Sequence, residues 1–269
     1  MQNSFFLLAA LLYLIAAVLP TTARRAQSVL TLFGWLLHGA ALSADVTAPD
    51  AVRVGFAAML SATLWITVAF YWLENRNSAL DSLRVLVLPV AALAVVLPGI
   101  FPGNMVPLAG KSGWFLGHIA ISILAYSTLT IAAFHAVLMV LQESRLHIRS
   151  AQPKAGWFNG ALERLPPLLT MEKLLFRLIA LGFTLLTLTM LSGAVFSEQL
   201  FGQALRLDHK TIFTFFSWLL FGVLLAGRRW QGWRGKTALR FTLSGFAILL
   251  LAYVGTRFVL EVVLHRAFI

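Results

Sequence analysis

Apolar segments close to the length of a membrane-spanning helix recur along the whole chain. They lie at about 4–20, 28–43, 52–72, 84–101, 114–141, 173–196, 210–226 and 241–264. A helix needs roughly 20 apolar residues to cross the hydrocarbon core of a bilayer. The chain is 59% hydrophobic and 12% charged, whereas a soluble domain carries roughly 25% charged residues. We therefore predict an all-α integral membrane protein, a bundle of about eight transmembrane helices that forms one polytopic domain over residues 1–269.

The distribution of basic residues predicts the orientation of this bundle. With the N-terminus outside, fifteen of the 21 Lys and Arg residues fall on the inner side, and the outer side holds five: Arg53, Lys111, Arg206, Lys210 and Arg266. Because cytoplasmic loops are enriched in Lys and Arg, we expect both termini on the periplasmic side of a bacterial inner membrane. The net charge of +11 then reflects topology, so the predicted partner of these charges is the lipid bilayer and not nucleic acid.

The first apolar run has features of both a signal peptide and a membrane span. It lacks a positive region in front of the apolar residues, and Arg24 and Arg25 follow it. A secretory signal has the opposite arrangement. We therefore interpret the run as a retained span.

Three of the six histidines occur in the outer halves of predicted spans. His38 lies near the end of the second span, His118 four residues into the fifth, and His209 begins the seventh. A polar side chain in a membrane is costly unless it is paired, and it often marks a functional site. Neutral imidazole is also a common iron ligand. The alternative is that each histidine makes an interhelical hydrogen bond or lies at the interface. The chain has no cysteine, which excludes thiolate ligands.

Other polar residues accompany these histidines. Ser122 and Tyr126 follow His118 at i+4 and i+8, a stripe that indicates either a binding site or helix packing through hydroxyl residues. Arg257 and Glu261 are four residues apart in the last span and either pair with each other or leave Arg257 to hold an anionic ligand group. Cations around imidazoles suit an iron porphyrin, whose propionates need positive partners.

The segment GQALRLDHKT at residues 202–211 places Asp208, His209 and Lys210 at the start of an apolar run. One interpretation is that Asp208 orients His209 towards a ligand and that Lys210 faces a propionate or a lipid headgroup. The other is an ordinary helix start, in which Asp208 is the N-cap and the two following side chains reach the interface.

The segment RRWQGWRGKTALR, from Arg228, precedes the last span on the predicted cytoplasmic side. We expect Trp230 and Trp233 to anchor it at the lipid headgroups. Its arginines are then predicted to lie near anionic lipid.

The stretch SGAVFSEQLFGQALRLDHKTIFTFFSWLLFGVLL, from Ser192, resembles the cytochrome c assembly family, the CcsA/CcmC/HemX-like heme-handling membrane proteins. Residues 192–195 match the family's Ser-Gly-Ala-Val/Ile-Trp, and Asp208, Lys210 and Thr211 fall near its Asp-Pro-Lys-Glu-Thr. WFLGHIAISILAY, from Trp114, resembles its His-led span. PPLLTMEKLLF, DHKT and RRWQGWRGK are most similar to the small eight-span YpjD-type inner membrane proteins of that family. The resemblance covers essentially the whole chain and is strongest from 114 to 255.

The resemblance implies a non-catalytic protein that binds or delivers a b-type or transiently held heme. The resemblance implies that His118 is an axial ligand of the heme iron. We predict His209 as the other axial ligand, in place of a family histidine that this chain lacks, with His38 as an alternative ligand. The remaining residues predicted to contact the cofactor are Ser122, Tyr126, Asp208, Lys210 and Arg257. Other membrane proteins of cytochrome maturation or ion homeostasis are the implied partners.

Two departures from the family pattern keep other functions open. The family's external loop is rich in tryptophan, but residues 197–209 contain none, and YVGTRFV in the last span lacks the family's second external histidine. These departures favour a heme-free structural or regulatory membrane partner as one alternative hypothesis. A second alternative is a transporter of a small ion along the polar stripe of the fifth span.

Overall fold

The computed structural model describes residues 2–74, 83–109, 113–147, 165–201 and 208–263, and helices dominate these ranges. They are α1 (Gln2–Val18), α2 (Arg24–Val46), α3 (Phe56–Glu74), α4 (Arg84–Ile100), α5 (Gly113–His147), α6 (Leu168–Phe201), α7 (His209–Gln231) and α8 (Gly235–Leu250). Beyond α8 the helix continues through wide π turns at Leu251–Gly255 and Val259–Val263, on either side of Thr256–Phe258.

These helices coincide with the eight predicted apolar segments. Six of them are long and apolar enough to cross a membrane, and the apolar parts of α1 and α4, Ser4–Val18 and Arg84–Ile100, are shorter. The predicted α-helical membrane architecture is therefore confirmed. The number of crossings and the periplasmic position of the termini stay predictions.

A small antiparallel sheet corrects the all-α prediction. Strands β1 (Thr47–Ala48), β2 (Ala51–Val54) and β3 (Asn104–Pro107) pair in the order β1-β2-β3, and Val52 lies opposite both Thr47 and Val106. The third apolar segment was predicted to begin its helix at residue 52, but residues 51–54 form β2 and the helix starts at Phe56. β-Branched residues suit a strand, and hydrophobicity alone does not separate so short a strand from a helix.

Two residues with positive φ allow the chain to turn beside this sheet. Asp50 (φ 57°) lies between β1 and β2, and Gly103 (φ 70°) precedes β3. A Cβ atom at position 103 would lie 2.8 Å from the Val54 carbonyl oxygen. Glycine is therefore required at 103 for both its backbone conformation and its close approach to β2.

The chain divides into two compact units. Unit 1 comprises Met1–Pro107 and Val137–Met171, and unit 2 comprises Leu108–Ala136 and Glu172–Ile269. In unit 1, α1 packs against α2 and α4, and α3 packs against the same two helices. In unit 2, α7 packs against α8 and against the first π turn. The single polytopic domain over residues 1–269 stays a prediction.

Two tryptophans join α2 to α3 in unit 1. The indole Nε1 of Trp35 donates to the Trp65 carbonyl oxygen, and Nε1 of Trp65 donates to the Trp35 carbonyl oxygen, each at 3.0 Å. The rings stack with centroids 4.9 Å apart and planes 3° from parallel. This reciprocal pair satisfies both indole donors inside a helix interface, where an unpaired donor would be costly.

In unit 2 a buried carboxylate ties together the start of α6, the end of α7 and the start of α8. The side chain of Glu172 is 8% exposed, and its Oε1 accepts from Arg228 Nη1 and, at 2.8 Å, from Arg234 Nε. The Arg228 guanidinium also lies 3.9 Å above the Phe176 ring centroid. The two hydrogen bonds from arginine to the Glu172 carboxylate are charge-assisted, and such bonds are stronger than neutral ones.

The same cluster involves the basic segment RRWQGWRGKTALR, which begins in the last turn of α7. Arg228 and Arg234 bind Glu172 within the chain, and their predicted position near anionic lipid stays a prediction. Trp233 packs against Gly227 and Phe241, whereas Trp230 is 83% exposed. Trp230 therefore has the exposure of an interfacial anchor, and Trp233 serves the helix interface.

Candidate functional site

Polar side chains from several helices of unit 2 come together around His118. This half-buried residue lies in the second turn of α5, and its Nδ1 is 2.7 Å from Ser192 Oγ on α6. A Cβ atom at the neighbouring Gly193 would lie 3.4 Å from His118 Cε1, which is an ordinary van der Waals distance. The imidazole therefore lies against α6 at Ser192 and Gly193.

Two tyrosines and a lysine extend this group of residues. Tyr126, two turns from His118 on α5, meets Tyr253 edge-to-face, with ring centroids 6.0 Å apart, and has Thr214 as a hydrogen-bond partner. Lys210 Nζ lies 5.3 Å from the Tyr253 ring centroid and near enough to His118 for an electrostatic interaction. Residues from α5, α6, α7 and the first π turn therefore form one polar group among apolar helices.

Sequence reasoning missed Tyr253 and the role of Ser192. Tyr253 lies in the first π turn, and such turns, which are often found at functional sites, have no signal in a hydrophobic run. Ser192 lies in the SGAV motif, which would have been the clue. Its pairing with His118 depends on the contact between α5 and α6, which a single sequence does not show.

At the start of α7 the structure agrees with the helix-start interpretation of Asp208. Asp208 is the N-cap, and its Oδ1 accepts from the Thr211 N–H and from the Thr211 hydroxyl, each at 2.8 Å. That oxygen serves the first turn of α7. His209 and Lys210 are the first two residues of the helix, and both are exposed. Iron binding by His209 stays a prediction.

Two further predicted contact residues have other surroundings. The Ser122 hydroxyl donates to the His118 backbone carbonyl at 2.8 Å, so its observed bond is to the helix and not to the imidazole. Arg257 lies between the two π turns, but its side chain and that of Glu261 are outside the described residues. The roles of Ser122 and Arg257 therefore stay predictions.

His38 belongs to unit 1 and lies in a different environment. It is fully buried, its Nδ1 is 3.3 Å from the Tyr13 hydroxyl on α1, and its Nε2 is 2.8 Å from Ser61 Oγ on α3. These contacts match the interhelical hydrogen bond that the sequence left open. Coordination of iron by His38 would require the loss of one of them.

The donor set around His118 suits a porphyrin iron better than a free metal ion. Within the described ranges no group of three or more His, Cys, Asp or Glu side chains is placed to hold a metal ion. A porphyrin supplies its own four nitrogens and takes one or two protein ligands. One imidazole with a nearby ammonium fits that requirement, since heme also carries two carboxylates.

Comparison with known proteins identifies the family. A family model described as "Cytochrome C assembly protein" matches residues 2–264. The chain belongs to the cytochrome c assembly family. "Inner membrane protein YpjD" of Escherichia coli K12 is 28% identical over 244 residues, covering 89% of this chain and 88% of the relative. Two "Cytochrome c biogenesis protein CcsA" sequences from Prochlorococcus marinus strains are 30% and 32% identical, over 64% and 58% of this chain.

Family membership confirms the resemblance read from the SGAV, DHKT and His-led segments. Together with the six long apolar helices, it establishes a multi-pass membrane protein of the cytochrome c assembly family. The matches cover 60% and 54% of the two CcsA relatives, less than two thirds of their length. The activity of those larger proteins is therefore not assigned to this chain.

Proposed function

We propose that this chain handles heme for cytochrome c maturation in a bacterial inner membrane, which it crosses eight times with both termini in the periplasm. The family match supports the maturation role, and the relative named as an inner membrane protein supports the location. The excess of basic residues on one set of loops supports the orientation. The other components of cytochrome maturation are then its partner proteins.

The half-buried imidazole of His118 and its bond to Ser192 carry this proposal. The imidazole lies in an apolar helix with its Nδ1 bonded to Ser192, which directs Nε2 to the other side of the ring. Lys210 is near enough to His118 for an electrostatic interaction, and its Nζ lies 5.3 Å from the Tyr253 ring centroid. His118 would hold the iron of a bound heme through Nε2, and Lys210 would offer a positive partner to a propionate.

His209 is the proposed second axial ligand. It is exposed at the first position of α7, directly before Lys210, and the Asp208 cap holds that turn in helical form. A ligand at this position would share one helix turn with the cation that we assign to the propionate. Arg257, from the last helix, is the proposed second cation, and Tyr126 and Tyr253 are the proposed aromatic neighbours of the macrocycle.

Absorption spectroscopy tests the proposal directly. Protein purified in mild detergent from cells supplied with heme should show a low-spin spectrum with a sharp Soret band, because two imidazoles are strong-field axial ligands. His118→Ala should abolish the band. His209→Ala should convert it to a high-spin form, since one axial position then loses its imidazole. His147→Ala, at the far end of the same helix, is the matched control and should leave the spectrum unchanged.

A monodisperse wild-type protein that stays colourless during heme titration would overturn the heme assignment. The better function would then be a heme-free partner of the maturation machinery. The absence of tryptophan from residues 197–209 and of histidine from the last apolar segment favours that second function.

A further inference from the structure

The hydroxyl of Ser192 has more acceptors around it than it can serve with one proton. Ser192 Oγ lies 2.7 Å from the Leu188 carbonyl oxygen, 3.1 Å from the Thr189 carbonyl oxygen and 2.7 Å from His118 Nδ1. A serine hydroxyl carries one hydrogen and two acceptor lone pairs. A backbone carbonyl oxygen only accepts. The position of that one hydrogen therefore determines whether His118 Nδ1 donates to the serine oxygen or accepts from it.

The geometry places the serine hydrogen on the backbone of α6. If the hydroxyl donated to His118 instead, its lone pairs would face two carbonyl oxygens at short distance, and acceptor would oppose acceptor. Donation to the carbonyl four residues earlier is the usual bond of a helical serine or threonine. It also occurs at Thr189, which donates to the Leu185 carbonyl oxygen at 2.9 Å. Ser192 therefore accepts from His118.

We propose that Ser192 is a positioning residue that fixes His118 as the tautomer with hydrogen on Nδ1 and a lone pair on Nε2. A neutral imidazole has one donor nitrogen and one acceptor nitrogen, so a donor Nδ1 makes Nε2 the acceptor. Metal-binding histidines commonly donate their other nitrogen in this way, which fixes the ring orientation and the tautomer.

The proposal has a consequence for heme that rests on the function proposed above. Without the serine oxygen, the imidazole can rotate or exchange tautomers, and part of the population then presents a hydrogen where iron needs a lone pair. Loss of such a supporting partner typically lowers metal affinity about 10–100-fold. Ser192→Ala should therefore weaken heme binding by roughly that factor, and Ser192→Thr, which keeps the hydroxyl, should restore it.

Nitrogen-15 NMR of histidine-labelled, heme-free protein in detergent tests the tautomer itself. The His118 signals are assigned by their loss in His118→Ala. We expect a protonated Nδ1 and an unprotonated Nε2 in the wild type and in Ser192→Thr. In Ser192→Ala we expect a mixture of tautomers or the reverse one. Thr189→Ala is the control, one helix turn from Ser192. Its hydroxyl donates to the Leu185 carbonyl oxygen and not to the imidazole, so this variant should keep the wild-type signals.

The two readouts separate failure of this inference from failure of the proposed function. Unchanged His118 signals in Ser192→Ala, or a protonated Nε2 in the wild type, would overturn the role of Ser192 whether or not heme binds. The expected tautomers in a protein that never binds heme would support the role of Ser192 in positioning the imidazole and would overturn the heme assignment.

Discussion

His38 in unit 1 and His118 in unit 2 are the same residue type in apolar helices, but their surroundings differ. His38 is fully buried, and each ring nitrogen has a hydroxyl neighbour, Tyr13 on one side and Ser61 on the other. His118 is half-buried, with Ser192 at Nδ1 and an ammonium and a tyrosine ring in the surrounding group. The first histidine joins three helices, whereas the second is bonded to α6 in a group that also contains a lysine.

We propose that this difference separates a structural histidine from a binding one in a membrane helix. The cost of placing imidazole in an apolar region applies to both residues. Satisfaction of both nitrogens inside the fold removes that cost without a ligand. The His118 ring is half-buried and is bonded to Ser192 through Nδ1, and we propose that it is the one that binds a ligand. The two residues are of the same type and are predicted to lie at a similar depth in the membrane. Their exposure and their hydrogen-bond partners distinguish them.

The largest expected effect comes from exchanging the two histidines for alanine one at a time. His118→Ala should lose heme entirely and change the free energy of unfolding by less than about 1 kcal/mol, because the side chain that is removed is only half-buried. His38→Ala should keep the heme spectrum and lower the free energy of unfolding by about 2 kcal/mol, because two interhelical contacts are lost and a cavity remains.

Absorption spectra and thermal unfolding of both variants in the same detergent measure this exchange. Loss of heme from a well-folded His38→Ala protein would show that unit 1 supplies an iron ligand. The comparison between the two histidines would then be wrong. Equal destabilisation by both substitutions would show that His38 does not stabilise the fold more than His118 does.

A second prediction extends the comparison to an ionic cluster that is also satisfied within the fold. Glu172→Ala removes the carboxylate shared by Arg228 and Arg234 and should lower the free energy of unfolding by about 2–3 kcal/mol. A fully buried pair would cost about 3–5 kcal/mol, but the two arginine side chains are 30% and 53% exposed, so water partly compensates them. The heme spectrum should not change.

Lys173→Ala is the matched control for Glu172→Ala, since it removes a neighbouring exposed charge from the same helix turn. Thermal unfolding should hardly respond to it. If Glu172→Ala removed heme without loss of stability, this cluster would belong with His118 as a binding group, contrary to its assignment as a structural one.

Much of the helical architecture could be predicted from the sequence. Eight apolar runs of near-membrane length identify the helices, because the bilayer requires every backbone group to be bonded within its own segment. The N-cap at Asp208 was one of two stated alternatives, since an acceptor side chain directly before an apolar run is the usual helix start. These features are local, and a local pattern is sufficient to recognise them.

The parts that were not predicted depend on contacts between distant segments. The strand Asn104–Pro107 pairs with Ala51–Val54, and neither segment is long enough to have a clear periodicity. Glu172 meets Arg228 across 56 positions, and His118 meets Ser192 across 74 positions. One sequence identifies polar residues that are costly in a membrane. It does not show which of them satisfy each other.

The smallest expected effect concerns an exposed cation near the end of α7, next to the arginine that binds Glu172. Arg229 is exposed next to the 83% exposed Trp230, whereas Arg228 is bound to Glu172. A cation close to an anionic leaflet contributes about 1 kcal/mol. The two neighbouring arginines should therefore respond differently to lipid, although they have the same charge and lie in the same turn of α7.

Thermal unfolding in nanodiscs with and without phosphatidylglycerol measures that difference. In phosphatidylglycerol discs Arg229→Gln should lower the free energy of unfolding by about 1 kcal/mol, and in purely zwitterionic discs it should have almost no effect. Arg228→Gln should destabilise the protein equally in both, since its partner is a carboxylate of the same chain. If Arg229→Gln were also independent of lipid, Trp230 and Arg229 would not lie at the headgroups. The predicted cytoplasmic interface at this end of α7 would then be wrong.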